Sequence, residues 1–390
     1  MTTDGHRGPG RSRRGVLRAG VGGAAALGVA GIGYAAFRLG SGNGPVGVAG
    51  AGDTASAGAS ASVSSRASSG STAAAHVTTQ PGFDGAGLSG PHVFDRMTGP
   101  DRTIVSTSDG TRVAVFTDGA RTAVFSGPKR TFSEPGTTTA TVTTNSWVRL
   151  APRRWSAGAE DSTWFRSWFP GQLAATSADL FGLYAEYAAG APNRYNGGGV
   201  RYAGAARFGN LTSSGGYQNP LGDRDDRADF FDYLGIEYSF PDGTGRPTPE
   251  WYGDLDCSGL VRILYGYRMG YPMYLGDGSS DGAVPLPRHS WSMSANGPGV
   301  RLFGAGADGV PTDGELELLL PGDLLFFAEG SDPSSVDHCG IYFGEDQYGR
   351  RRFLSSRMGA NGPTFGDAEG MSVVGGTGIY SRDFRGARRI

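Results

Sequence analysis

The chain has few of the side chains that build metal or cofactor sites: its 390 residues include two cysteines and five histidines. The His, Cys and Asp residues are not grouped at ligand spacing, so the sequence predicts no metal ion and no cofactor. Neither charge sign is in marked excess, since the formal net charge at pH 7 is −2. A nucleic-acid-binding protein needs a basic surface, so nucleic acid is not expected as a partner.

Large apolar side chains are scarce over residues 41–90. As far as about residue 81, this segment consists almost entirely of Gly, Ala, Ser, Thr and Val. Such a composition buries too little apolar surface to offset the conformational entropy that is lost on ordering. Residues 41–90 are therefore predicted to form a disordered linker.

The first forty residues carry the pattern of an export signal. Arg13 and Arg14 are followed at 19–37 by an apolar run that is rich in Ala and Gly. This arrangement resembles a twin-arginine signal, which predicts an exported protein. The run is also long enough for one membrane span, so residues 1–40 are read either as a signal or as an N-terminal anchor. A plain basic tail before a low-complexity stretch is the alternative.

The sequence Asp-Cys-Ser-Gly-Leu-Val at 256–261 is the most informative motif. Apolar residues continue at helical spacing as far as Gly270, which predicts a helix that begins near Cys257 and ends at this glycine. In the first turn of a helix, unpaired N–H groups and the positive helix end stabilise a thiolate and an oxyanion. Cys257 is therefore the candidate nucleophile.

A second motif, Asp-His-Cys-Gly-Ile-Tyr at 337–342, supplies the candidate base. Its alternation predicts a strand that places His338 and Cys339 on opposite faces, so the imidazole can meet the Cys257 sulfur while Cys339 points away. A thiolate and an imidazole held together suit acyl transfer. The same parity argues against the alternative, a disulfide between the two cysteines of an exported protein.

Four motifs resemble those of the NlpC-type cell-wall cysteine peptidases, and they occur in the order found in that family. They are the two motifs above, Leu-Pro-Arg at 286–288 and Pro-Gly-Asp-Leu-Leu-Phe-Phe at 321–327. The resemblance implies an α+β fold with a papain-like core over residues 191–390, in which the nucleophile helix packs on an antiparallel sheet. It also implies that Asp256 and Ser258 help to form the substrate groove.

The activity that the resemblance implies is hydrolysis of an amide in the peptidoglycan stem peptide, at the γ-D-glutamyl to diaminopimelate bond. An amidase or transpeptidase on the same scaffold would use the same Cys–His pair, and a non-catalytic wall-binding protein is a third possibility. We expect a monomer that is secreted or associated with the cell wall. Contact with a membrane is expected only through residues 1–40, if they are retained.

The sequence departs from the family at the residue that orients the imidazole. Relatives usually carry His, Asn or Gln on the strand after the one that bears the base. Here that strand is predicted at 352–357, and Ser355 takes the orienting position. A hydroxyl can accept the imidazole N–H, although its short side chain leaves room for a backbone carbonyl or a water in this role.

Residues 91–190 are predicted to form a small β-rich module with a trailing helix. Two strand-like runs at 111–116 and 121–125 flank an Asp-Gly turn, which is typical of a hairpin, and a further strand is expected within 137–150. The trailing helix is expected from about 172 to 188. The aromatic residues between 155 and 169 are read as core. Whether the module binds wall polymer or only packs stays open.

Overall fold

The computed structural model describes residues 74–80, 86–173, 175–212, 224–278, 285–304, 310–330 and 335–390. The predicted export signal at 1–40 and most of the predicted linker at 41–90 lie outside these ranges. Among the described residues, no helix combines the length and the apolar character needed to cross a membrane.

A six-stranded antiparallel sheet forms the N-terminal part of the described chain. Its strands are β1 (His76–Thr79), β2 (His92–Met97), β3 (Arg102–Thr107), β4 (Arg112–Thr117), β5 (Thr122–Ser133) and β6 (Thr141–Leu150). Strands β2 to β6 pair in sequence order. The predicted hairpin is formed by β4 and β5, and its turn contains Gly119 at a φ of 81°, a backbone conformation that favours glycine.

Strand β1 lies inside the range predicted as disordered linker, so that prediction is wrong for these residues. All four residues of β1 are exposed, and the strand pairs with residues 130–133 of β5. Main-chain pairing on the free edge of a long neighbouring strand orders this segment without apolar burial. The amino-acid composition carries no signal for such pairing.

Two helices follow the first sheet, α1 (Thr163–Leu173) and α2 (Leu180–Ala185). The aromatic residues predicted as core are core: Trp155, Phe165 and Phe169 are buried, and Phe116 stacks on Trp155 with ring centroids 4.4 Å apart. The single helix predicted from about 172 to 188 is instead two helices. Asp179 caps α2 by accepting from the Gly182 N–H at 3.0 Å, and thereby starts a new helix.

Short elements connect the first sheet to the C-terminal part of the chain. They are the strand pair β7 (Arg194–Tyr195) and β8 (Arg201–Ala203), helix α3 (Phe230–Leu234), and the strand pair β9 (Tyr238–Phe240) and β10 (Gly243–Gly245). Helix α4 (Cys257–Val261) comes next and continues as a π-helix over Arg262–Arg268. Gly270, at a φ of 77°, ends this helix as predicted, because its N–H is bonded to the Gly266 carbonyl at 2.8 Å.

A second, seven-stranded antiparallel sheet forms the C-terminal part. Its strands are β11 (Val300–Phe303), β12 (Leu324–Phe327), β13 (His338–Glu345), β14 (Arg351–Arg357), β15 (Gly362–Thr364), β16 (Val373–Val374) and β17 (Phe384–Arg389), in the order β11-β17-β12-β13-β14-β15 with β16 on β14. Helices α5 (Ser290–Asn296), α6 (Asp313–Leu316) and α7 (Ile379–Asp383) precede β11, β12 and β17.

Helix α4 packs on β13 and β14 of this sheet. Its buried side chains Leu260 and Val261 belong to one apolar core with Ile341 and Leu354. Gly340 of β13 permits the strand's close packing, since a Cβ there would lie 2.6 Å from the Phe353 ring. The helix start is thereby held against the start of β13, where His338 lies.

The two sheets share this core. Phe132 of β5 meets Phe343 of β13 with ring centroids 4.9 Å apart, and Val142 and Val148 of β6 lie in the same cluster. The Arg389 guanidinium, near the end of β17, donates to the Thr117 hydroxyl of β4 at 2.8 Å. The predicted boundary between residues 190 and 191 therefore does not coincide with a break in packing.

A buried ion pair in the first sheet offers a test of this packing. Asp179 carries the N-cap of α2, accepts from Arg130 at 2.6 Å and accepts from the Val148 N–H at 2.9 Å. Asp179→Ala should lower the free energy of unfolding by about 3–5 kcal/mol, because it leaves a buried guanidinium without a counter-charge. Urea denaturation measures this change.

The matched control is Asp161→Ala, which removes an exposed carboxylate paired with Arg166. Exposed pairs of this kind contribute less than about 1 kcal/mol. If the two variants lose the same free energy of unfolding, the Arg130–Asp179 pair is not important for the fold.

Candidate active site

Cys257 is the first residue of α4, and Asp256 is the N-cap. The Asp256 carboxylate accepts from the Gly259 N–H at 2.5 Å and from the Ser258 hydroxyl at 3.0 Å. Gly259 is required by a close approach, since a Cβ there would lie 2.6 Å from the Ala228 carbonyl oxygen. The Asp-Cys-Ser-Gly motif thus fixes the start of the helix and the position of the sulfur at that start.

His338 is the first residue of β13, as predicted, and pairs with Phe327 of β12. The imidazole is buried, with 4% of the residue exposed. His289, the other histidine downstream of Cys257, is half-exposed and contacts Asp277 at 2.9 Å. The structure therefore brings His338 to Cys257 and leaves His289 in a separate surface pair.

The thiol and the imidazole shift each other's ionisation. The pKa of Cys257 is lowered well below the usual thiol value by a hydrogen bond with the Cys339 thiol and by the positive charge of His338, although burial opposes the shift. Burial would also lower the pKa of His338, but the charges of Glu329 and Cys257 raise it to about 9. Both shifts favour a thiolate beside an imidazolium.

Cys339 does not point away from Cys257, so the expectation from strand parity is wrong in this respect. Cys339 is fully buried in the core, as predicted, yet its thiol contacts that of Cys257, whose charge raises the pKa of Cys339. Strand alternation places the side chains of neighbouring residues on opposite faces of their own sheet. It does not describe their distance from Cys257, which lies on a helix that packs near the start of the strand. Both cysteines are free thiols, and no disulfide joins them.

Ser355, predicted to orient the imidazole, makes no direct hydrogen bond to it. Its side chain is fully buried, and its hydroxyl oxygen has no hydrogen-bond partner among the described residues. The pairing of β13 with β14 ends at Ile341 and Leu354, so Ser355 has no paired neighbour on β13. It pairs instead with Thr364 of β15.

Glu329, which follows β12 and precedes the base in sequence, is the acidic side chain near the imidazole of His338. Its Oε1 is 3.8 Å from Nε2 of His338, and the carboxylate is largely buried. Within the described part of the chain, neither of these two atoms has a hydrogen-bond partner. Burial raises the pKa of Glu329 to about 7, although the positive charge of His338 opposes this shift. The family pattern directs attention to the strand after the base, and no sequence motif singles out this glutamate.

Asp256 and Ser258, predicted to line the substrate groove, are both buried and form a network with Arg288 of the Leu-Pro-Arg motif. The guanidinium donates to Asp256 at 2.5 Å and to the Ser258 hydroxyl at 2.6 Å. Arg288 also lies 3.7 Å from Asp229, which pairs with the buried Arg262 at 2.9 Å. Burial raises the pKa of Asp256 to about 6, although the charge of Arg288 opposes the shift.

No family model matches this chain, and no curated protein matches it. Over the described ranges, no group of three or more His, Cys, Asp or Glu side chains is arranged to hold a metal ion. A partly exposed cysteine beside a buried histidine, at a helix N-terminus, is suited to nucleophilic attack on a carbonyl group.

Alkylation of Cys257 tests this ionisation. At pH 6, iodoacetamide should modify Cys257 in the unchanged protein faster than an ordinary thiol, because the lowered pKa leaves it as thiolate. His338→Ala should slow the reaction at pH 6 by about tenfold or more, since each unit of thiol pKa changes the thiolate fraction tenfold. Mass spectrometry of the peptide that contains Cys257 measures the rate.

Cys339 is the internal control for this experiment. It is fully buried and its pKa is raised, so it should stay unmodified under the same conditions. If Cys257 follows an ordinary thiol titration curve, the thiolate–imidazolium assignment is incorrect.

Proposed function

We propose that this protein is an exported cysteine endopeptidase of the NlpC type that hydrolyses an amide bond in peptidoglycan stem peptides. The observation that carries the proposal is the placement of Cys257 at the first position of α4 beside His338. The four sequence motifs support the same class, and so does the packing of α4 on an antiparallel sheet. A papain-like core is the fold class that we propose for this part of the chain.

The reaction begins with attack of the Cys257 thiolate on the carbonyl carbon of the stem peptide. The oxyanion that forms is stabilised by N–H groups of the first turn of α4, where the helix itself offers no acceptors. His338 then donates its proton to the leaving amine, and an acyl-enzyme remains. Water, deprotonated by the now neutral imidazole, attacks the thioester carbonyl and releases the new carboxylate and the thiolate.

The bond that we propose is the one implied by the family resemblance, between γ-D-glutamate and diaminopimelate. Arg288 bonds Asp256 and Ser258, the two residues that flank the nucleophile, so the start of α4 is held by an ion pair and a hydrogen bond. A fixed nucleophile suits a substrate that must be held with one carbonyl against the sulfur.

Muropeptide analysis tests the proposed function. Purified protein incubated with peptidoglycan should release products cut within the stem peptide, and Cys257→Ala should abolish their release while the fold is retained. A transfer activity would instead give products in which an added amine replaces water at the acyl group. Release by the Cys257→Ala variant at the rate of the unchanged protein would contradict the assignment of the nucleophile.

Export is proposed to depend on Arg13 and Arg14, because the twin-arginine route reads this pair and carries folded cargo. Replacing both residues with Lys should leave the protein in the cytoplasm, as measured by cell fractionation. The matched control is Arg18→Lys, which changes a nearby arginine outside the pair. Unchanged secretion after loss of both arginines would contradict this interpretation of residues 1–40.

A further inference from the structure

The imidazole of His338 is enclosed on three sides. Phe327 and Tyr380 lie against the ring with centroid separations of 5.8 and 5.9 Å. The Glu329 carboxylate lies 3.8 Å from Nε2 of this ring. Glu329 follows β12 and precedes the base in sequence. These three groups come from β12, α7 and the residues that follow β12.

We propose that Glu329 is the positioning residue for His338, in place of a residue on the following strand. The carboxylate and the imidazolium form an ion pair at 3.8 Å on the Nε2 side of the ring, which leaves Nδ1 to exchange a proton with the Cys257 thiol. This assignment rests on the proposed function and names the residue that completes its catalytic group.

The main chain around Glu329 is held by the motif that carries the base. The Asp337 carboxylate accepts from the N–H of Glu329 and from the N–H of Gly330, each at 2.8 Å. The preceding N–H, of Ala328, is bonded to the Asp383 carbonyl at 2.8 Å. Asp337 thus ties the glutamate to the start of β13, so the carboxylate and the imidazole are positioned by adjacent residues.

The electrostatic surroundings leave the imidazolium as the counter-charge of Glu329. Arg357 of β14 is the other nearby cation, but its guanidinium donates to the carbonyls of Gly366 and Gly370 and lies over the Tyr380 ring at 5.1 Å. The negative groups that act on the carboxylate are Asp337 and the Cys257 thiolate. A carboxylate buried among these groups is stabilised in its charged form when His338 is protonated.

The charge state of this pair sets a pH window. The pKa of Glu329 is raised to about 7, and that of His338 to about 9, so both are charged between these values. Below about pH 7 the glutamate takes up a proton and the imidazolium loses its partner. The pKa of His338 then falls, so Glu329 supports the imidazolium between about pH 7 and about pH 9.

Glu329→Gln tests the proposal, because it keeps the size of the side chain and its acceptor oxygen but removes the charge. At about pH 8, where Glu329 is charged in the unchanged protein, this variant should hold less imidazolium, so the rate of Cys257 alkylation should fall by about tenfold or more. The turnover number for stem-peptide hydrolysis should fall by about tenfold or more. Glu329→Asp keeps the charge and should restore the alkylation rate in part.

Two variants serve as matched controls. Ser355→Ala removes the hydroxyl that the sequence pointed to, and Glu317→Gln neutralises an exposed carboxylate paired with Arg351. Neither should change the alkylation rate at this pH. If Glu329→Gln does not fold, Asp337→Asn offers a second route, since it loosens the hold on the Glu329 main chain and should lower the alkylation rate in the same way.

The proposal is overturned if Glu329→Gln alkylates at about pH 8 at the rate of the unchanged protein, or if Ser355→Ala lowers that rate instead. Alkylation reads the thiolate without any peptide substrate. An unchanged protein that does not cut stem peptides but shows the Glu329-dependent alkylation rate would therefore refute the proposed function and leave the positioning role intact. Hydrolysis that is unaffected by Glu329→Gln would refute the positioning role alone.

Discussion

The position of Cys257 at the first residue of α4 is the constraint on which the rest of the site depends. Successive residues of an α-helix are rotated by about 100°, so a helix that began one residue later would turn the sulfur away from His338. The Asp256 cap prevents this shift by bonding the Gly259 N–H. The missing side chain of Gly259 lets the helix start lie against the Ala228 carbonyl. A few local bonds thus determine where the thiolate meets the imidazole.

Buried charges surround this position on two sides, and each has an opposite charge within reach. Asp256 faces Arg288, Asp229 faces Arg262, and Glu329 faces His338. Ion pairs of this kind add little to stability on balance, because desolvation offsets the attraction. Loss of one partner is nevertheless strongly unfavourable, so each pair holds its side chains in one arrangement. The network therefore explains the fixed geometry of the site better than it explains the stability of the fold.

The parts of this site that could be predicted from sequence are those set by local structure. Capping and helical spacing located Cys257 and the end of its helix at Gly270, and alternation located the strand that begins at His338. Glu329 could not be found in this way, because its approach to the imidazole depends on bonds from Asp337 across a loop. The contact between the two cysteines depends on how a helix packs on a sheet, which strand parity does not describe. The linker prediction failed at β1 for a related reason, since pairing with a distant strand leaves no mark on composition.

The first sheet contributes to the site through β13. This strand carries His338 at its start, and Phe343 farther along it packs against Phe132 of the first sheet and Phe181 of α2. At the turn after β13, the Gln347 side chain bonds the main chain of Thr139. The strand that bears the base is therefore supported, on the same face as the nucleophile helix, by residues that were predicted to form a separate module. Because the aromatic side chains Trp155, Phe165 and Phe169 of that module are buried in its own core, we interpret its role as support of β13 rather than as a platform for wall polymer.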